Sequence, residues 1–248
     1  MIELSNLVKN FGDLVAVNGV SLQVSRGEFF AILGPNAAGK TTTIKILTGL
    51  IRPTSGSASV AGFDVQQESL EARKRMAYVP DFPFLYDKLT PAEFLRFTGE
   101  LFQMSAKDIE AESRALIARF ELRDYLNKQI EGLSHGTKQR VAIVSALMHR
   151  PEVFILDEPM VGLDPHHARV LKDVLKERSL AGMTVFISTH QLSVAEEMAD
   201  RIGIMHRGKL IAVGTRDELR RQSGVDGALE QTFLTLTADN AAQLPLVT

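Results

Sequence analysis

Residues 34–41 read Gly34-Pro35-Asn36-Ala37-Ala38-Gly39-Lys40-Thr41. They match the pattern G-x-x-x-x-G-K-[ST], in which glycines, a lysine and a hydroxyl are spaced to hold phosphate. An apolar run ending at Leu33 precedes the loop and a helical pattern begins near Lys40. A strand ending in a tight turn there aims successive backbone N–H groups, and the positive end of the next helix, at the phosphates of a nucleotide. Lys40 then reaches the β- and γ-phosphates, and the Thr41 hydroxyl ligates Mg²⁺. A glycine turn that only caps a helix is the plainer alternative, but chance supplies the full motif in a chain of this length roughly 1% of the time. GTPases, kinases and motor ATPases share the loop, so it fixes nucleotide chemistry without naming the enzyme.

Further along, Val153-Phe154-Ile155-Leu156-Asp157-Glu158-Pro159 is an apolar run ending in two adjacent acids. An acid at a strand end can hold Mg²⁺ opposite Thr41, and its neighbour can polarise an attacking water. Adjacent residues of a strand point in different directions, which lets one carboxylate face the metal and the other the γ-phosphate. Taken alone, Asp-Glu-Pro also describes an ordinary turn; beside the phosphate loop, catalysis is the better account. A guanine-reading Asn-Lys-x-Asp is missing, since Asn127-Lys128-Gln129-Ile130 lacks the carboxylate.

Short runs rich in β-branched and aromatic residues must position these groups. They predict strands over Glu28 to Leu33, Met76 to Pro80, Val153 to Asp157, Thr184 to Ser188 and Ile202 to Met205. Between them, Val170, Leu171, Val174 and Leu175, and again Ile109, Leu116, Ile117 and Phe120, each mark one helix face. Strands alternating with helices predict an α/β fold around a largely parallel sheet. Ile2 to Val8 and Leu14 to Val24 read as antiparallel strands, and Gly208 marks a late hairpin. From Phe84 to Arg150 helical spacing dominates and strands are missing, which reads as a helical insertion. From Thr215 onward a short helix and a polar tail are expected.

With these elements placed, the chain resembles the ABC ATPase family from about residue 2 to about residue 235. The phosphate loop matches, with Ala37 where glycine is usual. Leu133-Ser134-His135-Gly136-Thr137 is similar to the family signature Leu-Ser-Gly-Gly-Gln and leads into an apolar helix from about Gln139 to Met148. Val161-Gly162-Leu163-Asp164-Pro165 resembles the loop after the second acid, and Ser188-Thr189-His190 the switch histidine. Met76-Ala77-Tyr78-Val79-Pro80 resembles the approach to a loop that usually holds glutamine, where this chain has Asp81.

The resemblance implies a P-loop NTPase core with an N-terminal antiparallel β subdomain and an inserted α-helical subdomain. Residues 1–83 and 151–215 would be the catalytic core, 84–150 the helical subdomain, and 216–248 a C-terminal helix and tail. It implies that ATP and Mg²⁺ bind and that two cassettes close head to tail, the signature of one capping the nucleotide held by the other. Glu158 and His190 would be catalytic, with Glu158 the general base and His190 at the γ-phosphate. Thr41, Asp81 and Asp157 would hold Mg²⁺. Residues 34–41 with Thr42 would hold the phosphates, Phe11 and Val17 would meet the adenine, and Ser134, His135, Gly136 and Thr137 would face the partner's nucleotide. Asp164 would link the two sites. A phenylalanine in an N-terminal strand is also an ordinary core residue, and His135 in place of glycine is also explained as a tolerated side chain. The aromatic loop Phe82 to Tyr86 lies where such cassettes receive a short helix of an integral membrane permease; packing inside is its other explanation.

Composition limits the alternatives. With 45% hydrophobic and 23% charged residues the chain can bury a core, and a net charge of −2 gives no general attraction to nucleic acid. It has no cysteine, which fits a reducing compartment. The start, MIELSNLVKNFGD, has no signal-peptide pattern, and no run of about 18 apolar residues occurs. These features fit a cytoplasmic protein, and the resemblance implies that it is peripheral on the cytoplasmic face of the cell membrane through its permease partner. A soluble ABC protein acting on ribosomes or DNA is the rival; such proteins commonly join two cassettes or carry long coiled coils, and a phosphate-loop kinase would lack the signature helix.

Overall fold

The computed structural model describes residues 1–224 and 229–242. Its strands are β1 (Ile2–Phe11), β2 (Leu14–Val24), β3 (Phe29–Leu33), β4 (Ser55–Val60), β5 (Phe63–Asp64), β6 (Met76–Val79), β7 (Val153–Asp157), β8 (Thr184–Thr189), β9 (Arg201–His206) and β10 (Lys209–Gly214). The α-helices are α1 (Lys40–Leu47), α2 (Ser69–Arg75), α3 (Pro91–Leu101), α4 (Ala106–Arg119), α5 (His135–Leu147), α6 (Pro165–Leu180), α7 (Leu192–Met198), α8 (Arg216–Ser223) and α9 (Leu229–Ala242).

The larger sheet has the order β10-β9-β3-β8-β7-β6, parallel throughout except for the β9–β10 hairpin at one edge. Its central strands β3, β7 and β8 are buried at every position because both faces are covered. Phe29, Ala31 and Leu33 of β3, with Phe154 and Leu156 of β7, enter a core shared with α3–α7. The alternate residues Phe30, Ile32, Val153 and Ile155 enter a second core shared with α1 and the smaller sheet. Phe30 and Phe186 stack across that second face with ring centroids 5.5 Å apart. The smaller sheet, β2-β1-β4-β5, is antiparallel.

β4 escaped the sequence pattern because its Ser-Gly-Ser-Ala-Ser-Val has little intrinsic strand preference. Pairing decides it, with Ile2 opposite Val60 and Leu4 opposite Ala58. α5 begins at His135, four residues earlier than the apolar pattern suggested, because the Ser134 side chain caps it by accepting from the Thr137 N–H. The expected polar tail instead carries α9, whose Leu229 is buried and whose Phe233 and Leu236 pack on the first core. The parts of that tail at 225–228 and 243–248 lie outside the described residues. The hairpin at Gly208 has Arg207 and Gly208 both at positive φ, 46° and 76°, as a two-residue turn matched to strand twist requires. No helix among the described residues is long and apolar enough to cross a membrane.

His149, just past α5, stacks on Phe102 at 3.7 Å between ring centroids. Burial lowers its pKa to about 4 from the ordinary 6.5, so the folded chain keeps it neutral. The unfolded chain therefore binds the extra proton as pH falls from 6.5 toward 4, and stability is lost across that window. Urea denaturation should show a loss of about 2 to 3 kcal/mol between pH 7 and pH 4 from this group. His149→Gln, which cannot take up the proton, should flatten that part of the profile.

Candidate active site

The parallel strands deliver the chemistry-bearing residues at their C-terminal ends, side by side. In register, Leu33 stands opposite Thr189 and Asp157 opposite Ser188. The phosphate loop follows Leu33, Glu158 follows Asp157, and His190 follows Thr189. Residues placed far apart in sequence are thus neighbours because three strands end at one level.

The loop is held from behind. Gly39, at φ 104°, is the N-cap of α1 with no side-chain cap bond, and α1 has no acid in its first turn. Its first N–H groups are left for an anion. A Cβ at Gly39 would strike the Ala16 carbonyl oxygen, and one at Gly34 would strike that of Met205, so both positions require glycine. The Gly208 N–H donates to the Ala38 carbonyl at 2.9 Å, tying the hairpin turn to the loop. Pro35, Asn36, Ala37 and Thr41 are exposed while Thr42 is half-buried. Ala37 sits at φ 62°, a left-handed conformation that the usual glycine would adopt without strain.

Lys40 is buried, and its Nζ donates to the carbonyls of Gly34 at 2.7 Å and Pro35 at 3.1 Å. Burial lowers its pKa, with Glu158 and Asp157 working the other way. Asp157 is 1% exposed. One carboxylate oxygen accepts from the Ser188 hydroxyl, and the other, Oδ2, has no hydrogen-bond partner among the described residues. Burial raises the Asp157 pKa, and the Ser188 and Thr41 hydroxyls oppose that rise. An orphaned buried carboxylate oxygen beside a threonine hydroxyl fits a hard divalent cation such as Mg²⁺. Asp81 lies close enough for its charge to raise Asp157 further, while its own Oδ1 accepts from the Phe82 N–H at 2.8 Å.

Glu158 has φ 49°, strain held in place by its N–H, which donates to both the carbonyl and the hydroxyl of Ser188 at 3.2 Å. That turn puts the carboxylate between two cations or donors, with Oε1 3.7 Å from Lys40 Nζ and Oε2 3.0 Å from His190 Nδ1. The arrangement can take a proton from a water and orient the acid that does so.

Other expected residues fall elsewhere. Phe11 is 50% exposed, so it is not a core residue, and Lys9 Nζ lies 5.0 Å from its ring centroid on the surface. Val17, expected at the adenine, is fully buried in the core that also holds Ala38 and Met205. Asp164 caps α6 and gives its carboxylate to the His167 backbone and ring; these bonds hold its pKa down at about 2. The hydrogen bonds of Ser134 and Thr137 run to each other and to Arg140, none to the phosphate loop. His135 packs its ring on Phe82 and against Gly162. In the sequence Ser188 stands only as the approach to His190; nothing local shows that it bonds both acids across a strand pair.

The sequence matches the family described as ABC transporter over residues 17–161. The chain is 35% identical over 244 residues to the linearmycin resistance ATP-binding protein of Bacillus subtilis, a match covering 98% of this chain and 78% of that one. The chain belongs to the ABC transporter family. A solved ATP-binding subunit of an ABC transporter superposes on this cassette with a TM-score of 0.92 at 34% identity, covering 96% of this chain and 99% of the other. A dimeric cassette in a post-hydrolysis state, bound to ADP and Pi, superposes with a TM-score of 0.79 at 27% identity over 87% of this chain and 98% of that one. The cassette is an ATP-binding, ATP-hydrolysing subunit; the rival reading in terms of ribosomes or DNA finds no support among these relatives.

Strain at Ala37 gives a direct expectation. Ala37→Gly should raise the stability of the nucleotide-free cassette by up to about 1 kcal/mol, the relief of φ exceeding the added chain entropy. Urea denaturation midpoints would show it; an unchanged or lower midpoint would mean that the loop relaxes around alanine without cost.

Proposed function

We propose that the cassette energises a separate integral membrane permease, working as one of two cassettes that close on two ATP molecules, at the cytoplasmic face of the membrane. The observation that carries the chemical part is the Glu158 carboxylate held between Lys40 and His190 at the end of parallel strands. Residues 34–42 would cradle the phosphates, all but Pro35 offering a backbone N–H, and Lys40 would exchange its bonds to Gly34 and Pro35 for phosphate oxygens. Phe11 would stack on the adenine. Asp157, Thr41 and Asp81 would hold Mg²⁺, which neutralises phosphate charge when bound. Glu158 would take a proton from the attacking water as its oxygen bonds the γ-phosphorus and the bond to the bridging oxygen breaks, giving ADP and Pi. His190 would keep the carboxylate aimed.

Ser134, His135, Gly136 and Thr137 open α5, and the Ser134 and Thr137 hydroxyls bond each other and Arg140. A second cassette would bring its nucleotide to them, identical or different in sequence, with Asp164 at the junction. The division into a core of 1–83 and 151–215, a helical part of 84–150 and a C-terminal part of 216–248 belongs to this reading.

The permease has a candidate seat. A cavity of about 620 Å³ is lined by Tyr78, Phe84, Tyr86, Phe97 and Phe102 among others. Phe82, Phe84 and Tyr86 are 64%, 87% and 58% exposed, which disfavours the view that they merely pack inside. Such a groove suits a short amphipathic helix. The drug-resistance relative favours outward transport.

Two experiments test this. Glu158→Gln should cut hydrolysis by about 10²- to 10⁴-fold. Purified from its host in mild detergent with ATP and Mg²⁺, that variant should retain an integral membrane protein in stoichiometric amount; ribosomal or DNA-repair proteins in its place would overturn transport. Asp81→Ala should raise the Mg²⁺ needed for half-maximal ATPase several-fold, about what loss of one oxygen ligand implies, and an unchanged titration would remove Asp81 from the metal site.

A further inference from the structure

The loop after Glu158 rests directly on the start of α5. A Cβ added to Gly136 would lie 2.6 Å from the Gly162 carbonyl oxygen, and one on Gly162 would enter the His135 ring. Beneath this contact runs a chain of hydrogen bonds. The Asp164 carboxylate accepts from the His167 N–H at 3.0 Å and from His167 Nδ1 at 2.6 Å. His167 Nε2 is 2.7 Å from Arg140 Nη1. Arg140 Nη2 donates to Thr137 Oγ1 at 3.1 Å, and Thr137 Oγ1 is 2.9 Å from Ser134 Oγ. The three middle members, His167, Arg140 and Thr137, are 8%, 6% and 4% exposed, so little water competes for these bonds.

The donors fix the direction of the chain. A guanidinium only donates, so Nε2 of His167 accepts and the imidazole proton sits on Nδ1, facing Asp164. Glu121 and His166 stand beside His167, with ligand atoms of all three within 4.8 Å of one another. A cation there would need the nitrogen to which Arg140 already donates, so the cluster is not a metal site. Arg140 is also anchored by donating to the Phe120 carbonyl at 2.8 Å. It therefore stands fixed between the end of α4 and the side chain that α6 presents.

We propose that His167 is a positioning residue that couples Asp164 to Ser134, and so couples the loop after the catalytic carboxylate to the serine that faces the other cassette's nucleotide. The inference rests on the two-cassette reading above. When the partner cassette draws on the Asp164 carboxylate, His167 Nδ1–H is left buried without its acceptor, a costly state that the imidazole escapes by shifting. Arg140 and Thr137 carry the shift to Ser134. Either hydroxyl can donate across the 2.9 Å between Thr137 Oγ1 and Ser134 Oγ, and in the coupled state the threonine hydrogen turns to Ser134 Oγ. Ser134 Oγ also accepts from the Thr137 N–H, which leaves the serine's own hydrogen free for a phosphate oxygen. Thr137 occupies the signature position where glutamine is usual, and its short hydroxyl is what joins Arg140 to Ser134.

A double-mutant cycle in the full-length Glu158→Gln chain tests this. The ATP concentration for half-maximal dimerisation is read by light scattering for the parent, His167→Gln, Ser134→Ala and the double variant, each checked by thermal melt. Glutamine keeps an acceptor for Arg140 but loses the Asp164 partner. The midpoint should rise about ten-fold in His167→Gln, and the double variant should be no worse than the stronger single one. Binding of a fluorescent ATP analogue to the undimerised His167→Gln chain should move less than about two-fold, since only the inter-cassette step is coupled. Thr137→Val, which keeps the shape and cuts another link, should reproduce the rise in midpoint. Additive effects in a parent that dimerises, or an unchanged midpoint in Thr137→Val, would overturn the coupling and leave the two-cassette reading standing. A parent that does not dimerise with ATP would overturn both.

Discussion

The register of β7 against β8 is the constraint on which the site depends. Asp157 is opposite Ser188, and the Ser188 hydroxyl bonds the Asp157 carboxylate while its carbonyl and hydroxyl together hold the Glu158 N–H. A slip of one residue would exchange Phe154 and Leu156 for Val153 and Ile155 between the two cores, and would turn the acids away from the phosphate loop. The apolar faces therefore enforce the placement of the polar ends. The cost of burying Asp157 and of turning Glu158 to positive φ is met by a sheet covered on both sides.

The phosphate loop is a second place where the fold holds strain. Gly34 and Gly39 let backbone approach backbone from β2 and β9, and the Arg207-Gly208 turn braces Ala38. Lys40 cannot lie free in so dry a setting, so it satisfies itself on the carbonyls of its own loop and on Glu158. Those neutral acceptors are easily exchanged for charged phosphate oxygens, which make stronger bonds. The same lysine thus holds the loop in shape from within.

The chain carries two polar clusters. The phosphate loop and acids form one; the start of α5 forms the other, with its hydroxyls bonded among themselves. Arg140 and His167 join the second cluster to the loop that follows the first. The exposed aromatics between Phe82 and Tyr86 begin one residue after Asp81, so the groove and that carboxylate share a short stretch of chain.

The sequence by itself determined the parts whose signal is local. Residues 34–41 carry their chemistry in order, and the apolar runs 29–33 and 153–156 declare buried strands. Tertiary structure alone decided what depends on distant neighbours. β4 exists because β1 pairs with it; Val17 is core and Phe11 is surface although both are apolar residues of adjacent strands; Ser188 acts on Asp157 from 31 residues away; and His167 finds Arg140 across 27. A motif records which groups a site contains. The burial, register and hydrogen-bond partners that give those groups their charge and direction arise from packing, where each depends on residues that no local window holds.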